Sequence, residues 1–249
     1  MNSRAMEPKP EPAILHVEQL TKSFGGIRAV NHLSLAVDRG ELRCVIGPNG
    51  AGKSTFFALL SGIHQADGGR IALRGEDITK LPPYRRVRKG LCQKFQTTRI
   101  YRGLTVAQNL LIAGGKTPAR PAPNDRLAWA LETLGLNQHA NTPAGLLSHS
   151  RQQWLEICLA LATRPEVLLL DEPTAGMTSE ETALTARFVV ELNRQGGTIL
   201  IVEHDMAFIR SIANKVTVLH EGCVFAEGTI EEIAANRDVQ RIYLGEPRT

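Results

Sequence analysis

Short apolar runs, separated by polar turns, alternate along the chain with stretches whose apolar residues recur at helical spacing. The run at residues 42–46 begins just after the turn Asp38-Arg39-Gly40. The predicted strands are residues 14–17, 33–37, 42–46, 167–170, 199–202, 216–219 and 223–226. Several of them are apolar throughout, so we expect strands buried on both faces, in a mainly parallel sheet with helical crossovers.

The helical pattern dominates the middle of the chain. A helix predicted from Lys53 ends at the glycine stop Gly62. Further predicted helices are residues 104–113, 127–134, 151–162 and 183–192. The first three of these indicate an inserted helical lobe, in which residues 116–123 form a proline-rich loop.

The composition is that of a folded protein that stays in the cytoplasm. The chain has 249 residues, of which 43% are apolar, enough to bury a core in one domain or two joined lobes. No run approaches the roughly 20 apolar residues that a membrane-spanning helix needs. Residues 1–12 carry three prolines among charges and lack the apolar segment of a signal peptide, so we expect a flexible tail there.

Charge and cysteine positions argue against nucleic-acid and zinc sites. The net charge is +4, and the basic residues gather at 84–89, a cluster typical of a solvated helix face, without the motifs of nucleic-acid binding. An attraction of this cluster to anionic lipid or an acidic partner stays open. Cys44, Cys92, Cys158 and Cys223 stand singly in apolar segments, which predicts buried thiols rather than disulfides or zinc ligands.

The strongest chemical signal is a phosphate loop between a predicted strand and a predicted helix. The pattern G-x-x-x-x-G-K-[ST] is matched by Gly47-Pro48-Asn49-Gly50-Ala51-Gly52-Lys53-Ser54-Thr55, and all nine residues are predicted to bind nucleotide. Glycines let backbone N–H groups converge on phosphates, and the helix N-terminus adds partial positive charge. Lys53 would neutralise the terminal phosphates, and Ser54 would ligate Mg²⁺. An ordinary glycine turn is the alternative, but it gives these two residues no purpose.

A second chemical element follows the predicted strand at 167–170, which ends in Asp171 and Glu172. A buried strand delivers both carboxylates to the carboxyl edge of the sheet, where open α/β folds bind ligands. Asp171 would hold Mg²⁺ through water, and Glu172 would polarise the attacking water. Without a phosphate loop, a solvated acidic turn would be an equally good interpretation.

Together with further motifs in a fixed order, these elements resemble the ABC ATPase family over nearly the whole chain from Ile14 onward. The further matches are Phe24, Gln96, the signature segment Leu147-Ser148-His149-Ser150-Arg151-Gln152, the dimer-contact loop Thr174-Ala175-Gly176-Met177 and His204. Taken singly, Phe24 could be a core residue, Gln96 a surface residue and His204 a neighbour of the helix cap Asp205. Their joint order after a phosphate loop is what makes the match specific.

The resemblance implies the fold. A P-loop NTPase of the α/β class is expected, with a RecA-like core, an N-terminal antiparallel β subdomain and an inserted α-helical subdomain. Residues 13–90 and 165–249 would form the core with its β subdomain, and residues 91–164 the helical subdomain that carries the signature.

The resemblance also implies roles for single residues. Phe24 would stack on adenine, and Gln96 would join the two lobes and sense Mg²⁺ and the γ-phosphate. His204 would act as a switch, which makes Lys53, Gln96, Glu172 and His204 the catalytic set. Ser54, Gln96 and Asp171 would be the metal ligands.

Partners follow from the same resemblance. Two ATPase subunits, identical or related, would sandwich two ATP molecules head to tail, with Ser148 and Ser150 contacting the partner subunit's ATP. Residues 97–103 would face one of two permease subunits at the cytoplasmic side of a membrane, which in turn work with a substrate-binding protein.

Within the family, the chain resembles importer ATPases for branched-chain amino acids and urea. The segments that carry this likeness are LRCVIGPNGAGKST, QQWLEI, VEHDMAFIRSIA and KVTVLHEG. The last segment, the short loop near 118–123 and the ending at 241–245 resemble the urea-type member most.

The signature departs from the family pattern at two positions. Ser150 stands where these importers show glycine, and Arg151 where they show Gln or Glu. A side chain at position 150 would be strained if the site needs positive φ. The catalytic and metal-binding candidates are nevertheless all present, so we expect an active transport ATPase, with a nucleotide-binding regulatory subunit of impaired signature as the alternative; these candidates are Lys53, Gln96, Asp171, Glu172 and His204.

Overall fold

The computed structural model describes residues 13–94, 100–114 and 126–244, which are built around two β-sheets. The strands are β1 (Leu15–Phe24), β2 (Ile27–Val37), β3 (Leu42–Ile46), β4 (Gly68–Leu73), β5 (Glu76–Asp77), β6 (Leu91–Lys94), β7 (Val167–Asp171), β8 (Thr198–Val202), β9 (Lys215–His220) and β10 (Cys223–Gly228). The helices are α1 (Lys53–Ser61), α2 (Pro83–Arg88), α3 (Val106–Gly114), α4 (Arg126–Thr133), α5 (His149–Ala162), α6 (Ser179–Arg194), α7 (Met206–Ile212), α8 (Ile230–Ala235) and α9 (Arg237–Leu244).

The larger sheet has six strands in the order β10-β9-β3-β8-β7-β6. Strand β3 pairs in parallel with β8 and β9, β7 pairs in parallel with β6 and β8, and only β10 runs antiparallel to its neighbour. The predicted mainly parallel sheet is confirmed. Because parallel strands end at one edge, the residues that follow β3, β7 and β8 are brought together there.

The smaller sheet is antiparallel and has the order β2-β1-β4-β5. It belongs to a buried cluster in which Phe56 and Phe57 of α1 lie with apolar residues of β1, β2, β3 and β4. The N-terminal antiparallel β subdomain expected from the resemblance is therefore present, and it packs against the helix that opens at the phosphate loop.

The helices α3, α4 and α5 form the middle of the chain, as the periodicity predicted. Their apolar faces join a second buried cluster with α6 and the larger sheet. Trp129 of α4 stacks on Phe188 of α6, with ring centroids 5.0 Å apart. The inserted helices therefore share a core with the sheet.

The elements that the pattern did not predict include the strands β4, β5 and β6 and the helices α8 and α9. Residues Leu91–Lys94, which we assigned to the helical subdomain, instead form β6 and pair with β7 at the edge of the larger sheet. This strand is short and is preceded by a basic helix, so its apolar signal is weak. These four residues therefore join the larger sheet, and the boundary of the helical subdomain stays a prediction.

The basic cluster at 84–89 is only partly the solvated face that we expected. Arg86 is 1% exposed. Its guanidinium donates hydrogen bonds to the carbonyl oxygens of Leu59 and Leu60 at the end of α1, and to those of Thr79 and Leu81. The carbonyl groups of Leu59 and Leu60 lie in the last turn of α1, where intrahelical N–H donors run out, so Arg86 caps α1.

Three of the four cysteines, Cys44, Cys92 and Cys158, are buried as predicted, and Cys223 is half-buried. Burial raises the pKa of the Cys44 thiol to about 12.

Of the helices in residues 13–94, 100–114 and 126–244, none has the length and apolar character needed to cross a bilayer.

Candidate nucleotide site

The loop between β3 and α1 packs closely against the backbone of two neighbouring strands. Gly52 has φ 96°, and a Cβ built on it would lie 2.3 Å from the carbonyl oxygen of Ala29. A Cβ on Gly47 would lie 2.2 Å from the carbonyl oxygen of Leu219. Strands β2 and β9 therefore press so closely on the loop that only glycine fits at these two positions.

The N-terminus of α1 is open to an anion. Gly52 is its N-cap, and no side chain caps the first turn. The first helical hydrogen bond runs from Phe56 N to Gly52 O at 2.8 Å, so the N–H groups of the first turn lack intrahelical acceptors. Together with the helix dipole, they form a site for phosphate.

Lys53 lies across the loop. Its ammonium donates hydrogen bonds to the carbonyl oxygens of Gly47, at 2.6 Å, and Pro48, at 2.9 Å. Burial lowers the pKa of Lys53, and the nearby carboxylates of Glu172 and Asp171 oppose this shift. The loop cation and the acidic end of β7 thus act on one another electrostatically, and their joint role in one nucleotide site stays a prediction.

Asp171 ends β7 as a buried carboxylate with 5% of its surface exposed. Burial, and then the charge of Glu172, raise the pKa of Asp171 to about 6. Its Oδ1 atom is buried without a hydrogen-bond partner among the residues that the structure describes. A buried oxygen in this state fits a cation or a water bound to one.

The donor set suits Mg²⁺ better than a metal held by protein alone. Within the described parts of the chain, no group of three or more His, Cys, Asp or Glu side chains could hold a metal ion. Mg²⁺ commonly takes one or two protein oxygens and fills its shell with water and substrate phosphates. Asp171 and Ser54, which lies exposed in the first turn of α1, match that requirement.

Glu172 follows β7 in an unusual backbone conformation, with φ 44°. Its N–H donates to the carbonyl oxygen of Val202 at 2.9 Å, which continues the pairing of β7 with β8. A non-glycine residue in this region is strained, and such strain clusters at functional sites. The conformation places the carboxylate beside His204, whose Nδ1 lies 3.7 Å from Glu172 Oε1.

Two buried charged residues of the site were not predicted. Glu203 accepts hydrogen bonds from Thr174 N and Oγ1 and from His204 N, so it ties the dimer-contact loop to the histidine. Lys94 is buried at the end of β6, where its ammonium donates to the carbonyl oxygen of Asp171 at 3.3 Å. The signal that could have revealed both is a charged residue next to an apolar strand.

The signature segment is placed differently from the expectation. Ser148 is the exposed N-cap of α5, and its Oγ accepts a hydrogen bond from Arg151 N at 3.4 Å. Ser150 lies in the first turn of α5, has no positive φ and is 3% exposed. Its hydroxyl donates to Glu181 in the same chain. The predicted strain is absent and the side chain points inward, while the contact of Ser150 with a partner's ATP stays a prediction.

Two further residues were predicted for the site, Phe24 and Gln96. Phe24 ends β1, is 44% exposed and meets the His64 ring edge to face, with centroids 5.1 Å apart. An exposed aromatic beside the end of α1 is available for stacking, and that role stays a prediction. Gln96 lies outside the described residues.

Comparison with known proteins gives the family. The sequence model described as ABC transporter matches residues 30–175. The chain is 40% identical to the high-affinity branched-chain amino acid transport ATP-binding protein BraF of Pseudomonas aeruginosa, over 94% of this chain and 98% of that protein. It is 42% identical to the protein LivG of Salmonella typhimurium, described in the same words, over the same shares.

Solved structures agree. A nucleotide-free ATP-binding cassette from an ABC transporter has a TM-score of 0.83 and 31% identity, covering 94% of this chain and 100% of that one. The ADP conformation of such a cassette has a TM-score of 0.82 and 32% identity, covering 94% and 99%. The family and fold predictions are confirmed, and the chain belongs to the ABC transporter family as a nucleotide-binding, ATP-hydrolysing member.

Proposed function

We propose that this chain is the subunit that energises an ABC importer. The observation that carries the proposal is at the sheet edge, where the charges of Asp171 and Glu172 act on the ammonium of Lys53 beside an open helix N-terminus. Relatives at 40% and 42% identity are transport ATP-binding proteins. Triphosphate supplies the dense negative charge that such a site requires.

The residues of the site divide the work of hydrolysis. The loop N–H groups and Lys53 would bind the β- and γ-phosphates, and Ser54 and Asp171 would hold Mg²⁺. When bound, the metal would supply positive charge against the phosphate oxygens. Glu172 polarises the attacking water, and His204 beside it responds to the γ-phosphate. Gln96 remains a predicted sensor of the same group.

A complete site needs a second ATPase subunit, either a copy of this chain or a related protein. Ser148 and the N-terminus of α5 would meet the nucleotide of the partner subunit, since helix N-termini attract phosphate. The position of Ser148 as an exposed N-cap supports this role. Hydrolysis would then remove a bridging contact and open the pair.

Two permease subunits would receive this motion at the cytoplasmic face of a membrane, and a substrate-binding protein would deliver cargo to them. The stretch proposed to face the permease is 97–103, of which 97–99 lie outside the described residues. Tyr101 is strongly exposed, as a docking residue must be.

The cargo is urea, a short amide or a branched-chain amino acid. The names of BraF and LivG support branched-chain amino acids. The segments VEHDMAFIRSIA and KVTVLHEG support the urea-type member. Uptake of labelled urea and of labelled leucine after deletion of the gene separates the two, because only the true cargo loses its uptake.

Steady-state phosphate release tests the proposal. Wild type should hydrolyse ATP and Glu172→Gln should not, while both bind it. The regulatory alternative, which rests on Ser150 and Arg151, predicts that the wild type hydrolyses ATP very slowly. In that case Ser150→Gly should raise the rate of hydrolysis steeply.

A further inference from the structure

Both residues that depart from the family signature interact with one carboxylate. Ser150 Oγ donates a hydrogen bond of 2.5 Å to Glu181 Oε1. The charge of the neighbouring Arg151 also acts on Glu181 and helps to lower its pKa, after the larger effects of the hydrogen bonds from Ser150 and Thr178. The two departures therefore form one local unit.

Glu181 already has a structural role in α6. Its other oxygen, Oε2, accepts from Thr178 N at 2.9 Å, while Glu181 N donates to Thr178 Oγ1 at 3.3 Å. This is a capping box, which fixes the start of the helix. A hydrogen bond from Ser150 thus reaches a carboxylate that is already oriented, which limits the entropy lost in forming it.

On the other side, the chain of hydrogen bonds continues into the signature. Ser148 Oγ lies 3.1 Å from Ser150 Oγ. Because the single proton of Ser150 is used on Glu181, Ser148 is the donor in this pair. The N-cap of α5 is thereby joined through Ser150 to the N-terminus of α6.

A second contact links the same two regions. Nε2 of His149 donates to the carbonyl oxygen of Ala175 in the dimer-contact loop at 3.1 Å. The loop leads directly into Thr178 and α6. The signature and the dimer-contact loop, which both face the partner subunit under the proposed function, are thus held together at two points.

We propose that Ser150 is a positioning residue that fastens the start of α5 to the start of α6, so that the signature and the dimer-contact loop approach the partner's nucleotide as one rigid unit. This inference rests on the proposed function for its consequence in hydrolysis. The fastening itself is a property of the single chain, and it can be tested without a partner.

Hydrogen exchange of the whole chain provides that test. Ser150→Ala removes the hydroxyl, and Glu181→Gln keeps an oxygen for the capping box but weakens the bond from Ser150. Each variant should speed amide exchange at residues 148–151 and also at 174–178, by about tenfold, the factor expected for a lost charge-assisted hydrogen bond. The double variant should go no further than the larger single one, because both changes remove the same bond.

The matched control is Glu232→Gln, which alters the equivalent residue of the capping box at α8, where Thr229 N donates to Glu232 Oε2. This variant should leave amide exchange unchanged at residues 148–151 and at residues 174–178. Ser150→Thr, which keeps a hydroxyl, should show the slow amide exchange of the wild type rather than the fast exchange of Ser150→Ala. An increase confined to residues 148–151, or additive effects in the double variant, would overturn the inference.

Measurements of ATP hydrolysis test the consequence of this fastening for function. For Ser150→Ala, the ATP concentration at half-maximal hydrolysis should rise severalfold, while ATP affinity at the chain's own phosphate loop stays unchanged. If the wild type neither binds nor hydrolyses ATP, the proposed function fails, and the exchange data still decide the inference. Equal half-maximal concentrations in an active wild type and variant would contradict the role in positioning.

Discussion

Nδ1 of His204 lies 3.7 Å from Oε1 of Glu172, at the ends of two strands that are neighbours in the sheet. The parallel pairing of β7 with β8, in which Asp171 stands opposite Val202, creates this meeting. The His204 side chain is 69% exposed and that of Glu172 only 25%. The carboxylate is therefore held in place by the fold, and the imidazole reaches it from the solvent side.

The Glu172→Gln variant should lose hydrolysis and keep binding. A residue that polarises the attacking water typically contributes about 10²- to 10⁴-fold to the rate. We expect phosphate release to fall within that range, and ATP affinity, measured by calorimetry, to stay within about twofold. Retention of full turnover would remove Glu172 from the catalytic set.

Asp171→Asn should stabilise the protein in the absence of Mg²⁺. The pKa of Asp171 is raised from its ordinary value to about 6 in the folded state, so the folded chain binds the proton more tightly. Stability therefore falls as pH rises through the window from the unfolded pKa to about 6, and the deficit is complete above it. Asparagine at this position should therefore raise the free energy of unfolding by about 2 to 3 kcal/mol at pH 8, and by much less near pH 4.

Urea unfolding at the two pH values measures this difference. Asp67→Asn is a control of opposite sign, because the hydrogen bonds from Lys22 and Ser23 lower the pKa of Asp67. That variant should gain nothing at pH 8. An Asp171→Asn protein that is less stable than wild type at pH 8 would show that its carboxylate is well solvated or well paired.

Arg86→Met should destabilise the fold by about 3 kcal/mol, because it removes the guanidinium that donates to buried carbonyl groups at the end of α1. Arg85→Met, one residue away on the exposed side of α2, should change stability by about 0.5 kcal/mol or less. Chemical denaturation of both variants measures the contrast. Equal effects would mean that the cap on α1 does not contribute.

Local chemistry in the sequence predicted much of this site. The strand at β3, the glycine loop, and α1 with its stop at Gly62 follow from apolar pattern and glycine placement, and Gly62 indeed ends the helix at φ 81°. Asp171 and Glu172 were predicted because an apolar strand ends in two acids. In each case the sequence signal lies within a few neighbouring residues.

Contacts between distant parts of the chain could not be predicted in the same way. The cluster at 84–89 suggested a solvated face, but Arg86 is buried because the carbonyl groups of Leu59 and Leu60 need donors. Ser150 occupies a position where the resemblance implied contact with nucleotide, and its hydroxyl instead donates to Glu181 of the same chain. Lys94 is buried by pairing of β6 with β7, which a short strand does not reveal.

Binding of ATP by Lys53→Ala tests the central claim most directly. The Lys53 ammonium, which donates hydrogen bonds to the carbonyl oxygens of Gly47 and Pro48, should donate to phosphate instead when nucleotide binds. Removing the ammonium should weaken ATP affinity about 10- to 100-fold. Lys89→Ala is the control, since Lys89 pairs with Glu76 away from the loop. Calorimetry should show this loss for Lys53→Ala alone. An unchanged affinity, in a variant with a normal circular dichroism spectrum, would contradict the whole account.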